Sequence, residues 1–238
     1  VKQQYESILS QPDELIITGK NLLYYSIFDV TAQYINLLYK SLLSIFDSKS
    51  VNYDILFITD ELTKGKIQTI LNKLKMKGFF HIVPTPVDGI EASKCKTLIY
   101  DYARIDNYEN ILFIDADTLI IKNIQNVFTN AKSYNVLYTA FNKNLKIATH
   151  QTSLFHGFAE VSDKIFNQMQ EHNQMPFNAG QFLFKNSSYM RKHFETVNWF
   201  MVNWPGEYFF EQAFMNYYFC SNILTDCTSF DKNVLLMP

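Results

Sequence analysis

The stretch from residue 110 to 124, NILFIDADTLIIKNI, constrains the fold more than any other part of the chain. Ile111, Leu112, Phe113 and Ile114 form an unbroken, partly β-branched apolar run, the pattern of a strand buried on both faces of a parallel sheet. Such strands open into ligand crevices at their carboxyl ends. Two carboxylates, Asp115 and Asp117, stand at that end here. In an extended backbone, positions i and i+2 point to the same side, so both can reach one cation while the small Ala116 faces away. Hard oxygen donors suit magnesium or manganese, ions that also bind substrate phosphates. The plainer reading, two solvated turn acids, leaves paired charges at the end of an apolar strand with nothing to neutralise them.

Around this strand the sequence alternates strand and helix patterns. Residues 22–28 read as a strand ending at Asp29, and 32–46 carry apolar residues at helical spacing through Ile35, Leu38, Leu42, Leu43 and Phe46. A second strand is predicted over 54–59, a Lys-rich amphipathic helix over 62–76, and a third strand over 79–83 that Pro84 and Pro86 stop. A helix over 93–106 leads into the acid-bearing strand, and further strands are predicted over 136–141 and 177–184. Residues 143–160 show no clean period and read as a long surface segment suited to substrate contacts. An aromatic helix over 207–219 packs into the core. This order predicts an α/β domain with a mostly parallel central sheet flanked by helices. A chain of 238 residues with 47% hydrophobic and 16% aromatic content fits one such domain, 1–238, and excludes disorder.

A net charge of −2 gives no footprint for nucleic acid. Cys95, Cys220 and Cys227 have neither disulfide-framework nor zinc-ligand spacing, so free thiols are expected. No apolar run reaches membrane-span length and the polar N-terminus has no signal-peptide core, which favours a cytoplasmic setting. The chain begins at Val1 rather than Met, which leaves room for an upstream leader or domain.

Four separated motifs, in order, resemble the family 8 glycosyltransferases, the group of glycogenin and bacterial lipopolysaccharide galactosyltransferases, whose domain has the GT-A fold. FIDADTLIIKNI is similar to the family's metal-binding acid motif, which implies that Asp115 and Asp117 hold a manganese ion, with magnesium a substitute, against the diphosphate of a UDP-sugar, with Ala116 between them among the donor-binding residues. Phe177-Asn178-Ala179-Gly180 resembles the family's FN(S/A)G turn, which places Asn178 at the donor sugar with Ala179 and Gly180 beside it. Glu211-Gln212 before AFMNYYF resembles the DQ pair and its apolar helix, with Glu in place of Asp. By that likeness Glu211 touches sugar hydroxyls and Gln212 lies beside the anomeric carbon. Ser93-Lys94 is similar to an S/T-K pair whose Lys contacts the donor, at a longer spacing than the family's, and Lys96 competes for the role. FDVTAQYINLLYKSLLS resembles the uracil-binding turn, which implies Asp29 and Thr31 near the nucleoside. The family's C-terminal segment, with a His as third protein ligand to the metal, has no counterpart before Met237-Pro238. The reading taken is a missing C-terminal segment rather than substitution by His150 or His156.

The resemblance implies a retaining hexosyltransferase that moves glucose or galactose from a UDP-sugar to a hydroxyl on a protein, glycan or lipid-linked acceptor. A Gln is a poor nucleophile, which favours front-face substitution over a glycosyl-enzyme, with Asn178 and Gln212 orienting the sugar and stabilising its oxocarbenium-like charge. Each residue also has a plainer role: Asn178 in a left-handed turn, Glu211 and Gln212 as first-turn helix residues, Lys94 and Lys96 as surface lysines. Trp199, Phe200, Trp204 and Tyr208 to Phe210 read mainly as core, with Trp204 the candidate for exposure at an acceptor site. Two rival functions are a non-catalytic sugar-binding module and a sugar-phosphate nucleotidylyltransferase. The second expects a Gly-rich phosphate loop after the first strand, and SIFDVTAQY has no Gly.

Overall fold

The computed structural model describes residues 20–29, 33–47, 52–121, 123–141, 167–168, 171–172, 177–203, 211–222, 224–226 and 234–236. Strand β1 (Asn21–Ser26) is followed by helix α1 (Gln33–Asp47), β2 (Asp54–Thr59), α2 (Glu61–Leu74) and β3 (Phe79–Ile82), and the three strands pair in parallel. Helix α2 starts where Asp60 accepts the Thr63 backbone N–H at 2.7 Å and ends at Lys75 in the left-handed conformation. The chain then passes through α3 (Gly89–Lys94) and two 3₁₀ segments (Cys95–Asp101, Ile105–Asn107). It returns on the other side of β1 as β4 (Asn110–Ile114), parallel to β1.

That reversal of direction, outward to β3 and then back past β1, creates a switch point between β1 and β4, the place where open α/β sheets bind ligands. The rest of the main sheet is β6 (Leu137–Phe141), β7 (Phe177–Lys185) and β8 (Thr225–Asp226), and the strand order is β3-β2-β1-β4-β7-β6-β8. Strand β7 runs antiparallel to both neighbours, while the other pairings are parallel. Its antiparallel direction brings the start of β7, not its end, to the edge where β4 finishes. A short pair, β5 (Thr118–Ile120) with β9 (Val234–Leu236), lies apart from this sheet. Helix α4 (Gln125–Phe128) follows β5, α5 (Ser188–Asn203) follows β7, and α6 (Glu211–Met215) continues into a π-helical turn over Asn216–Cys220.

The sheet is buried on both faces, as the apolar runs require. Leu22, Tyr24, Ile111 and Phe113 face one core with Phe182, Phe184 and Phe194, whereas Leu23, Tyr25, Leu112 and Ile114 face another with Leu38, Leu42, Ile67 and Leu71. Phe113 stacks on Phe182 with ring centroids 4.9 Å apart, so the floor beneath the strand ends is aromatic and tightly filled. Full burial of such a ring contributes roughly 1.5–3 kcal/mol. Cys95 and Cys220 are free thiols, and Cys227 lies outside the described residues. Among the described residues no helix is long and apolar enough to cross a membrane.

Two local expectations differ from the structure. Residues 93–106 form no continuous α-helix: α3 stops at Lys94 and a 3₁₀ segment follows, which turns Lys96, Thr97, Ile99 and Tyr100 inward together. The segment over 207–219 is helical from Glu211, with Phe214 and Phe219 buried, and residues 204–210 lie outside the described ones. The segment over 143–160 also lies outside them.

Candidate active site

Strand β4 ends at Ile114 and the chain turns at once: the Thr118 backbone N–H donates to the Asp115 carbonyl at 3.1 Å. Asp115, Ala116 and Asp117 thus reach the same cleft through a tight turn, not through the alternation of an extended strand. The Asp115 N–H donates to the Gly180 carbonyl of β7 at 2.7 Å, extending the ladder one step and fixing the acid's backbone. The cleft, about 610 Å³, lies at the carboxyl ends of β1 and β4. Ser26, Ile27 and Phe28 bound it from the first strand, Tyr34 from α1, Gly89, Ala92 and Ser93 from α3, and Glu211 and Gln212 from α6.

Lys96 joins these parts. Its Nζ lies 2.6 Å from Glu211 Oε1 and 3.3 Å from Asp115 Oδ1, and it donates to the Ala179 carbonyl at 3.3 Å. An ammonium has three donors, and these partners use all three. The group also sits 4.8 Å from the centroid of the Phe113 ring. Burial alone would depress the Lys96 pKa, but Asp115 and Glu211 outweigh it and hold the ammonium above its ordinary range. Lys94 is placed elsewhere: its amine donates to the Met201 carbonyl at 3.4 Å, and it does not line the cleft. The structure therefore brings Lys96, not Lys94, to the acid pair.

Burial raises the Asp115 carboxyl to about 6 from an ordinary 3.8; Lys96 opposes that rise, and Glu211 and Asp117 add to it. Its side chain is still 37% exposed, so the carboxylate faces the cleft while protein packs behind it. Asp117 is exposed and Ala116 buried.

Gly180 explains why the β7 turn carries a residue without a side chain. A Cβ there would lie 2.8 Å from Asp115 Oδ2 and 2.8 Å from Asn178 Oδ1, closer than carbon packs against oxygen. Gly180→Ala is expected to fold with a loss of about 1–3 kcal/mol from overpacking. If Asp115 holds a divalent cation, the displaced carboxylate should weaken manganese binding about 10- to 100-fold, as titration calorimetry would read. Unchanged manganese affinity would mean that this carboxylate does not hold the ion.

Asn178 Oδ1 accepts the Gly180 N–H at 2.6 Å, closing a small turn at the start of β7. Asn178 is not left-handed, since Lys75 is the one non-glycine residue of positive φ among the described residues. Helix α6 braces this turn with two carboxamides: Gln212 Oε1 accepts the Ala179 N–H at 3.1 Å, and Asn216 bonds both the N–H and the carbonyl of Phe177, at 2.7 and 2.8 Å. Glu211 is buried, so neither it nor Lys96 is an ordinary surface residue. Asp29 does not line the cleft: its side chain is 1% exposed and pairs with Lys66, and its N–H donates to Thr63 Oγ1 at 3.0 Å. Thr31, His150, His156 and Trp204 lie outside the described residues. Trp199, read with the core cluster, is exposed, its ring edge on Phe200 at 5.5 Å.

Sequence reasoning did not point to Tyr34, Asn216 or the Ser26 to Phe28 wall. For Tyr34 a signal existed, an aromatic in the first turn of an amphipathic helix directly after β1; it is 51% exposed and borders the cleft.

Among the described residues no three His, Cys, Asp or Glu side chains are grouped to hold a metal ion. The acid pair nevertheless fits a hard divalent cation as a half-site, the arrangement used when substrate phosphates complete the shell. The formal charges agree: Asp115, Asp117 and Glu211 against Lys96 leave two net negative charges at the cleft.

No protein-family model and no curated protein sequence matches the chain. Solved structures do match its fold. The bifunctional glycosyltransferase WbbM superposes with a TM-score of 0.59 at 16% identity over 90% of this chain and 39% of its own. The galactosyltransferase LgtC, in complex with donor and acceptor sugar analogues, gives 0.56 at 12% identity over 83% of this chain and 70% of its own. Mouse xyloside xylosyltransferase 1 gives 0.55 at 14% identity, covering 87% of this chain and 84% of its own. The chain thus has the GT-A glycosyltransferase fold, as the four motifs implied. It spans about two fifths of the length of WbbM.

Proposed function

We propose that the chain is a retaining glycosyltransferase that moves a hexose, glucose or galactose, from a UDP-sugar to a hydroxyl acceptor on a protein, glycan or lipid-linked sugar. The observation that carries this reading is the meeting of Asp115, Asp117, Lys96, Glu211 and Gln212 in one cleft at the sheet's switch point. Asp115 and Asp117 would hold manganese, or magnesium in its place, and the bound ion would offset the charge that builds on the leaving diphosphate.

The rest falls to the chain's own residues. Lys96 pins Asp115 and Glu211 at fixed positions, so the carboxylates need not reorganise when the donor arrives. Glu211 spends one oxygen on Lys96 and keeps the other for a sugar hydroxyl. The bond between the anomeric carbon and the diphosphate oxygen breaks while the acceptor oxygen bonds to the same face, and the acceptor proton passes to the departing phosphate oxygen. Gln212 lines the cleft where that centre would sit, whereas Asn178 does not line it and would act from the β7 turn, its oxygen on the Gly180 N–H.

A titration of UDP-glucose, UDP-galactose and UDP-xylose with manganese, coupled to a UDP-release assay over an acceptor panel, tests the reading. One donor is expected to bind only with the cation and to release UDP. Because the Asp115 carboxyl titrates near 6, the folded protein holds a proton between pH 3.8 and 6 that the unfolded chain has lost. Its ionisation therefore subtracts stability from the cation-free fold as pH rises through that window. A cation selects the ionised form, so cation affinity should be full above pH 7 and fall as pH drops through about 6. Donor binding without UDP release identifies a sugar-binding module, and no donor binding with either cation removes the reading.

A further inference from the structure

Among the described large apolar side chains, the four most exposed are Val87 at 84%, Val202 at 82%, Leu62 at 77% and Trp199 at 61%. All four stand at the end of the domain where the cleft opens. Leu62 lies in the first turn of α2, whose Thr63 Oγ1 accepts the Asp29 N–H at 3.0 Å, one residue beyond the Phe28 that bounds the cleft. Val87 comes just before α3 and the Gly89 that lines the cleft. Helix α5 starts beside the amino end of β4, where Lys185 pairs with Asn110, and runs back along the sheet to end with Trp199 and Val202. That end meets α3 and the segment after it. The Lys94 amine donates to the Met201 carbonyl at 3.4 Å, and the Asn198 amide to the Thr97 carbonyl at 3.2 Å.

Single exposed apolar side chains are ordinary on a protein surface, but the gathering of the four most exposed on one rim is not. They come from three separate elements around a polar cleft, which gives a protein partner no continuous apolar face. A bilayer needs none, because each side chain can enter the headgroup region on its own, and tryptophan favours that interface. The charge beside the rim agrees. Residues 61–77, α2 and the turn after it, hold five lysines against one glutamate, in a chain whose 21 lysines and arginines are outnumbered by 23 aspartates and glutamates. Lys66, Lys73, Lys75 and Lys77 are exposed. Lysine is a point charge on a flexible stem, suited to a diffuse anionic surface more than to a fixed bidentate site. The acids beside Val87 are engaged at the start of α3: Asp88 accepts the Glu91 N–H at 2.8 Å, and Glu91 the Val87 N–H at 2.9 Å. We infer that the cleft-bearing end of the domain docks on an anionic phospholipid surface, with Leu62, Val87, Trp199 and Val202 entering the headgroup region and the α2 lysines facing the phosphates. Resting on the transfer reading above, this selects the lipid-linked acceptor, whose hydroxyl would meet the cleft at the membrane face.

Cosedimentation with vesicles tests the docking without reference to turnover. Wild-type protein should bind vesicles of phosphatidylcholine and phosphatidylglycerol in equal parts, more weakly as salt rises, and brominated lipid should quench Trp199 fluorescence in a Trp204→Phe background. The pair Leu62→Ser and Val202→Ser should lower vesicle affinity about 10-fold or more, and the set Lys73→Gln, Lys75→Gln and Lys77→Gln about 10- to 100-fold. All five positions are exposed and none lines the cleft, so melting temperature and UDP-sugar affinity should stay at wild-type values. Wild-type protein left in the supernatant with these vesicles would overturn the docking, as would full binding by the serine variant. A concentration-dependent dimer that the serine variant abolishes would assign the rim to a second copy and overturn it too. Vesicle binding by a protein that releases no UDP from any UDP-sugar removes the transfer reading and its lipid-linked acceptor, and leaves the docking standing.

Discussion

An Asp115→Asn protein is expected to fold normally and to lose sugar transfer by about a thousandfold or more, since losing the Lewis-acid ligand forfeits several kcal/mol at the transition state. The fold should tolerate the change because ionised Asp115 is no asset to the cation-free protein: burial raises its pKa to about 6 against the pull of Lys96. Asparagine keeps the shape, leaves the backbone bond to the Gly180 carbonyl at 2.7 Å untouched, and leaves Lys96 paired to Glu211 at 2.6 Å. Thermal melting within a few degrees of wild type, alongside UDP release and manganese titration, checks both halves. Activity within tenfold of wild type would end the proposed role of Asp115 as a metal ligand.

Lys96→Met should have the larger effect on stability. The Lys96 and Glu211 side chains are 6% and 7% exposed, and removing the ammonium leaves Glu211 buried beside Asp115 with no counter-charge. Breaking a buried pair from one side costs about 3–5 kcal/mol. The sign with pH follows from the carboxylates left behind. Lys96 holds the Asp115 carboxyl down, so without it the folded pKa of Asp115 moves further above the unfolded one, the native state binds the extra proton at low pH and the deficit grows as pH rises. Urea unfolding should show a smaller loss at pH 5 than at pH 7.5. A loss under about 1 kcal/mol at pH 7.5 would mean that water, rather than the ammonium, balances these acids.

Much of the scaffold was legible in the sequence because its strands are buried on both faces. The prediction for β2 matches Asp54–Thr59 residue for residue, and β4 is the apolar run ending at the acid pair. Strand direction was not legible. An apolar run such as Phe177 to Phe184 reads alike in either orientation, so the antiparallel β7 emerges only from pairing. The acid pair was found by its place after a strand, yet its geometry depends on a turn closed by the Thr118 N–H, a bond that periodicity does not encode. Lys94 and Lys96 look equivalent in sequence, and they are separated by the shift from α-helix to 3₁₀ winding at Cys95 and by partners more than eighty residues away in Ala179 and Glu211. Asn216 gave no signal because its partners are backbone groups.

The spread of those partners along the chain sets a folding order. Lys96 and the Ala179 carbonyl are separated by 83 residues, and Glu211 lies further on still. Strands β1 to β3, joined by local crossovers, can assemble early, whereas closing the loop from Lys96 to Glu211 carries the entropy of a long chain segment. A chain interrupted before Glu211 would lack the carboxylate that lies 2.6 Å from the Lys96 ammonium, and would have to leave that ammonium to water.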